Sequence, residues 1–130
     1  MKNYNEIKTF EDACNIEGLD PEKVLPDFSC YPEKDREALL AHAKLIIIVR
    51  ASNRLANDGK EWIPDFNNYD ELKYEPWFDL EQEGSSGFLY LGYDYWFTLS
   101  HVGSRLCFIS NEVCKYITNQ FIDLYETYFK

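Results

Sequence analysis

Between Pro32 and Asn57 the sequence commits to one long helix, and the width of its apolar surface constrains everything that packs around it. Ala38, His42, Leu45, Val49 and Ala56 recur at helical spacing along one stripe, with Leu39, Ile46 and Asn53 beside it. The run Ile46-Ile47-Ile48 carries the apolar arc beyond a single face, so the helix is expected to be packed on two sides, at the centre of the domain. Pro32 suits the start of such a helix and Gly59 its termination. A chain of 130 residues leaves little room for a second core, so residues 1–130 are read as a single domain.

Shorter elements flank it. Thr9 is a helix cap for residues 10–17, with Asp12 three positions on and Gly18 as the stop. Asp20 and Pro21 read as a second, one-turn helical start that Pro26 ends. Residues 62–68 are a loop with aromatic anchors. Residues 73–81 alternate, with Tyr74, Pro76, Phe78 and Leu80 on one side and Lys73, Glu75, Trp77, Asp79 and Glu81 on the other. Pro76 lacks a ladder donor, which makes this an edge strand. Residues 84–87 form a hairpin loop, and residues 88–99 alternate again, either as one strand or, if a tight turn falls near residues 92–94, as two. Residues 105–109 are a further short strand, and Ser110 caps a C-terminal helix through Val113, Ile117, Phe121, Leu124 and Tyr128. The expected fold is therefore α+β: N-terminal helices including the long central one, a three- to four-stranded antiparallel meander, and a C-terminal helix, with the helices on one sheet face.

Composition narrows the setting. Cys14, Cys30, Cys107 and Cys114 form no paired framework, and Cys107 and Cys114 sit inside apolar patterns as small hydrophobes. Residues 1–6 are polar, and the longest apolar run, residues 45–49, is far too short to cross a bilayer. A reduced, soluble, cytoplasmic protein without membrane contact is expected. The net charge of −10 repels phosphate backbones in general, although residues 33–60 are locally basic. Residues 61–83 carry eight acids against one base.

Catalytic signatures are sparse. His42 lies in the apolar stripe of the long helix and is read as a satisfied, mostly buried residue; His101 has no ligand partner at metal-binding spacing. No phosphate-cradling glycine loop, nucleophile elbow or zinc motif is present, so no metal, no cofactor and no enzymatic activity is expected. Cys14, Gly18 and Val24 stand near helix-turn-helix spacings, but the second element would be acidic and broken by Pro26, unlike a groove-reading helix.

The aromatic alternation is the best candidate for a site. If the sheet's other face meets the helices, Trp77, Phe88, Tyr90 and Trp96 point outward, rimmed by Glu75, Asp79, Glu81 and Asp94. Exposed tryptophan and tyrosine are enriched at interface hot spots. The competing expectation is that residues 60–72 or a terminus fold back over this face. Arg50, Arg54 and Lys60, at the end of the long helix, are explained by the helix dipole and by the acidic segment 61–83.

Several short segments, in order, carry a resemblance. Phe10-Glu11-Asp12-Ala13-Cys14 with residues 18–23, Pro32-Glu33-Lys34-Asp35-Arg36, Lys73-Tyr74-Glu75-Pro76-Trp77-Phe78, residues 102–108 and residues 120–125 together resemble a family of small acidic proteins from gut anaerobic bacteria, their phages and mobile elements. The resemblance implies an α+β fold and a mobile-element setting, and it brings no activity and no site residue with it. The residues themselves lead to a non-catalytic binding or accessory protein, using Trp77 and Trp96 as anchors and Glu75 and Asp79 as rim for a protein partner or a second copy. The alternative is a single-stranded nucleic-acid binder that stacks bases on the same aromatics. An enzyme using surface carboxylates comes third.

Overall fold

A computed structural model describes residues 3–79, 89–96 and 105–130, with the backbone alone for Trp77, Asp79 and residues 89–96. A 3-10 turn, Tyr4–Glu6, leads into α1 (Phe10–Glu17). Thr9 and Asp12 close a capping box: the Asp12 N–H donates to Thr9 Oγ1 at 3.2 Å, and the Thr9 N–H donates to Asp12 Oδ2 at 3.0 Å. Gly18 ends α1 in the left-handed region, at φ 70°, which costs a glycine nothing. The expected helical start at Asp20 is a capped turn instead, with the Glu22 N–H on Asp20 Oδ1 at 2.9 Å. No second helix follows α1 there, which removes the helix-turn-helix geometry.

The long helix, α2, runs Glu33–Ala56 and is packed by α1, by α3 (Asn111–Gln120) and by α4 (Ile122–Phe129). Its buried positions centre on Ala41, Leu45, Ile48 and Ser52, one turn apart, rather than on the stripe through Ala38 and His42. Ile47, Ile48 and Val49 are all buried although three consecutive residues span most of a helical circumference. One neighbour could not cover that arc, and α2 has several. His42 is half-buried and stacks on Tyr128, centroid to centroid 4.7 Å and 11° between planes. The shared core joins Ile7, Phe10 and Cys14, the α2 face, Phe108, and Val113, Ile117, Phe121 and Tyr125. The N-terminal segment is tied to α3 by the Tyr116 hydroxyl, which lies 2.9 Å from the Asn5 carbonyl oxygen and 3.0 Å from that of Ile7.

The expected α+β meander is corrected. The described residues are mostly helical, with four α-helices, and their strands amount to a two-stranded antiparallel ribbon of β1 (Lys73–Asp79) and β2 (Leu89–Trp96). A three- to four-stranded meander is not seen among them. Residues 105–109, expected as a strand, meet β1 only at one bridge, Phe108 with Tyr74. The Tyr74 N–H donates to the Phe108 carbonyl at 3.2 Å, so the strand period aims the Pro76 nitrogen at the same side. Proline has no N–H to give there, and the pairing stops after one residue. On its other side β1 pairs with β2 along its length, so the chain does not turn near Gly92; the ladder instead skips Leu91 beside it. The single C-terminal helix is also corrected: Phe121, at φ −116°, ends α3 and starts α4.

Candidate functional site

The chain leaves α2 through a tight reversal. Asp58 and Gly59 both adopt positive φ, 55° and 80°, and the Gly59 N–H closes on the Arg54 carbonyl at 2.9 Å. Residues 61–66 then run back beside the C-terminal half of α2. Their far end is pinned by a buried cation. Lys73 is fully buried, and its ammonium donates to the backbone carbonyls of Asp65 at 2.7 Å, Asn68 at 3.0 Å and Glu71 at 2.7 Å. The Glu71 carboxylate adds its charge at 3.3 Å from the same nitrogen and accepts from the Asp65 N–H at 2.8 Å. Every proton of the ammonium is used, which is the condition under which burying it is tolerable.

A third segment is held against α2 by Asn53. Its amide donates to the Cys107 carbonyl at 2.9 Å and accepts from the Ile109 N–H at 3.0 Å, so the side chain pairs with the backbone much as a strand would. Between these three pieces lies a cleft of about 490 Å³. Val49 and Arg50 form its α2 wall; Trp62, Ile63, Pro64 and Phe66 form the opposite wall, with Glu61 beside them. Arg105 and Cys107 close the end. Ile63 stands 73% exposed at this position, an apolar surface that the fold itself leaves open.

The electrostatics separate the chain's four arginines into two kinds. Arg36 binds the carbonyls of Tyr31 and Ser29 at 2.8 and 2.9 Å, and Arg54 pairs with Glu17 at 3.1 Å. Arg50 and Arg105 make no hydrogen bond or ion pair among the described residues, and both line the cleft. Burial first, and the nearby Glu75 charge second, push the Cys107 thiol up to about 12, so it stays protonated and is a poor nucleophile. Burial likewise pushes Cys114 up to about 12. Among the described residues no cluster of histidine, cysteine or carboxylates is placed to hold a metal ion.

Most side chains of the site expected from the sequence lie outside the described residues. Phe88 lies outside the described residues, and so do the side chains of Trp77, Tyr90, Trp96 and Asp79. The backbone register pairs Lys73 with Trp96, Glu75 with Asp94, Trp77 with Gly92 and Phe78 with Tyr90. Between Trp77 and Phe78 the register skips Leu91, so the extra residue is on β2 and the pairing of positions 89–90 is out of step with that of positions 92–96. Lys73, expected on the outward side, is fully buried, and residues 65–71 fold back to enclose it; Glu75 is half-buried. The cleft was missed, although its parts carried signals: a loop of aromatic anchors and an arginine at the end of a long helix. Comparison of the chain with known protein families, with curated proteins and with solved structures finds no match. Among the described residues no helix is long and apolar enough to cross a membrane.

Proposed function

We propose that this protein is a non-catalytic binding protein that holds an anionic ligand with an apolar body in the cleft between α2 and residues 61–66. One observation carries this reading: in a chain of net charge −10, the two arginines without a partner among the described residues line the same aromatic-walled cleft. Guanidinium groups are well matched to carboxylate and phosphate oxygens and stack readily on aromatic faces. The cleft volume lies in the range of about 300–1,000 Å³ common for small-ligand sites. A protein interface of standard size takes about 20–30 residues from each side, far more than this cleft offers. The protonated Cys107 thiol at its end supports binding over nucleophilic chemistry.

The test is a calorimetric titration with 1-naphthyl phosphate, which joins a planar apolar body to a phosphate. Saturable one-to-one binding is expected, weakened at least about tenfold in the Arg50→Gln/Arg105→Gln double variant, since each charged hydrogen-bonding group is worth about 1.5–3 kcal/mol. Equal affinity in a double variant of unchanged circular dichroism would remove the cleft as the site. Release of naphthol during the titration would overturn the non-catalytic part of the reading.

A further inference from the structure

We propose that the ligand of this cleft is a free mononucleotide, a proposal that rests on the binding reading above and names its ligand class. The cleft offers three kinds of recognition at once. Arg50 and Arg105 supply two guanidinium groups, and a phosphate monoester, with a charge of about −1.5 to −2 and three acceptor oxygens, can engage both. A single carboxylate carries one charge over two oxygens and so offers less than a phosphate monoester to a pair of guanidinium groups. Trp62 brings an indole ring to the facing wall, a surface on which a nucleobase can stack whatever its identity.

Glu61 is the discriminating group. An exposed carboxylate in an anion site weakens the site for any simple anion. It is an acceptor only, so it favours a ligand that brings hydroxyl or amino donors beside its negative charge. Phosphate, planar ring and hydroxyl donors coincide in a nucleoside monophosphate. The same Glu61, followed by a segment that carries eight acids against one base across residues 61–83, disfavours a continuous phosphate backbone running out of the cleft. That favours the free nucleotide over a strand.

The experiment is a calorimetric competition on the intact protein, with AMP, UMP, adenosine and inorganic phosphate each added against 1-naphthyl phosphate. AMP and UMP are expected to displace the probe, and adenosine and phosphate to bind at least about tenfold more weakly, since stacking and charged contacts each contribute on that scale. Trp62→Ala should weaken AMP about tenfold or more and leave inorganic phosphate within about twofold. AMP affinity should rise from pH 5 to pH 7, because the second phosphate ionisation lies near pH 6. If the probe binds and neither nucleotide displaces it, the nucleotide proposal fails while the cleft reading stands; if the probe does not bind either, both fail. A 5′-phosphorylated oligothymidylate that binds more than about tenfold tighter than UMP would also overturn the proposal, in favour of a strand.

Discussion

Arg50 and Arg54 stand one turn apart on α2, and the fold treats them in opposite ways. Arg54 turns toward α1 and meets the Glu17 carboxylate, whose side chain is only 7% exposed. Arg50 faces the cleft and meets no carboxylate among the described residues. One guanidinium neutralises a buried charge and joins two helices; the other keeps its hydrogen-bonding capacity for something outside the chain. The same residue type on the same helix is a structural part in one place and a recognition element in the other, and what separates them is the partner that a distant segment brings.

Five substitutions sharpen or break that comparison. The largest effect is expected at Lys73, the cation tied most completely into the fold. Lys73→Met should cost about 3–5 kcal/mol in urea unfolding, because it leaves carbonyls of residues 65–71 unpaired, and it should also weaken ligand binding by loosening the wall that carries Trp62. Arg54→Gln comes next, at about 2–3 kcal/mol, since it leaves the Glu17 carboxylate buried without its counter-charge; the partial exposure of Arg54 keeps the cost below that at Lys73. Thr9→Ala, the loss of one half of a capping box, should cost about 1 kcal/mol.

Asp12, the other half of that box, gives the loss a pH signature. The backbone N–H of Lys8 foremost, with Thr9 assisting, holds its carboxyl below the usual 3.8, against a smaller opposing effect of burial. A depressed carboxyl stabilises the folded state above its unfolded value and loses that contribution as pH falls through the lower folded value. The stability difference between the protein and Asp12→Asn should therefore be constant at neutral pH and shrink in acid below 3.8, as followed by denaturation at successive pH values. Arg50→Gln should give the smallest change in stability, within about 0.5 kcal/mol, together with part of the loss of probe binding expected of the double variant. A large destabilisation by Arg50→Gln, or none by Arg54→Gln, would break the contrast between the two arginines.

Much of the helical part of the fold was legible in the sequence. Thr9, Asp12 and Gly18 bound α1 because capping and left-handed termination act between residues a few positions apart. Ser110 caps α3 for the same reason. The three isoleucines announced that α2 is packed on more than one side. The strands were read less well. Alternation in residues 73–81 and 88–99 suggested a meander, yet the missing Pro76 donor limits the contact with Phe108 to one bridge, and the extra residue Leu91 shifts the register of β2 against β1. Phe121 was legible as an apolar helical position, but its role in separating α3 from α4 was not, since nothing in its own side chain stops a helix.

The sequence by itself determined the two ends of α1, the extent of α2 and the start of α3, and that its four arginines sit in a strongly acidic chain. Only the tertiary structure decided which of those charges are neutralised. Arg54 finds Glu17 across 37 positions, and Asn53 finds the backbone of Cys107 across 54, distances over which no local pattern carries information. The burial of Lys73 within a loop of its own near neighbours is the intermediate case: its partners are close in the chain, but the fold had to exclude water from them. Caps and periodicity depend on contacts within a turn or two, so one strand of sequence contains them. Ion pairing and clefts depend on which segments meet, and that is set by how the apolar surfaces of α1, α2, α3 and α4 close over one another.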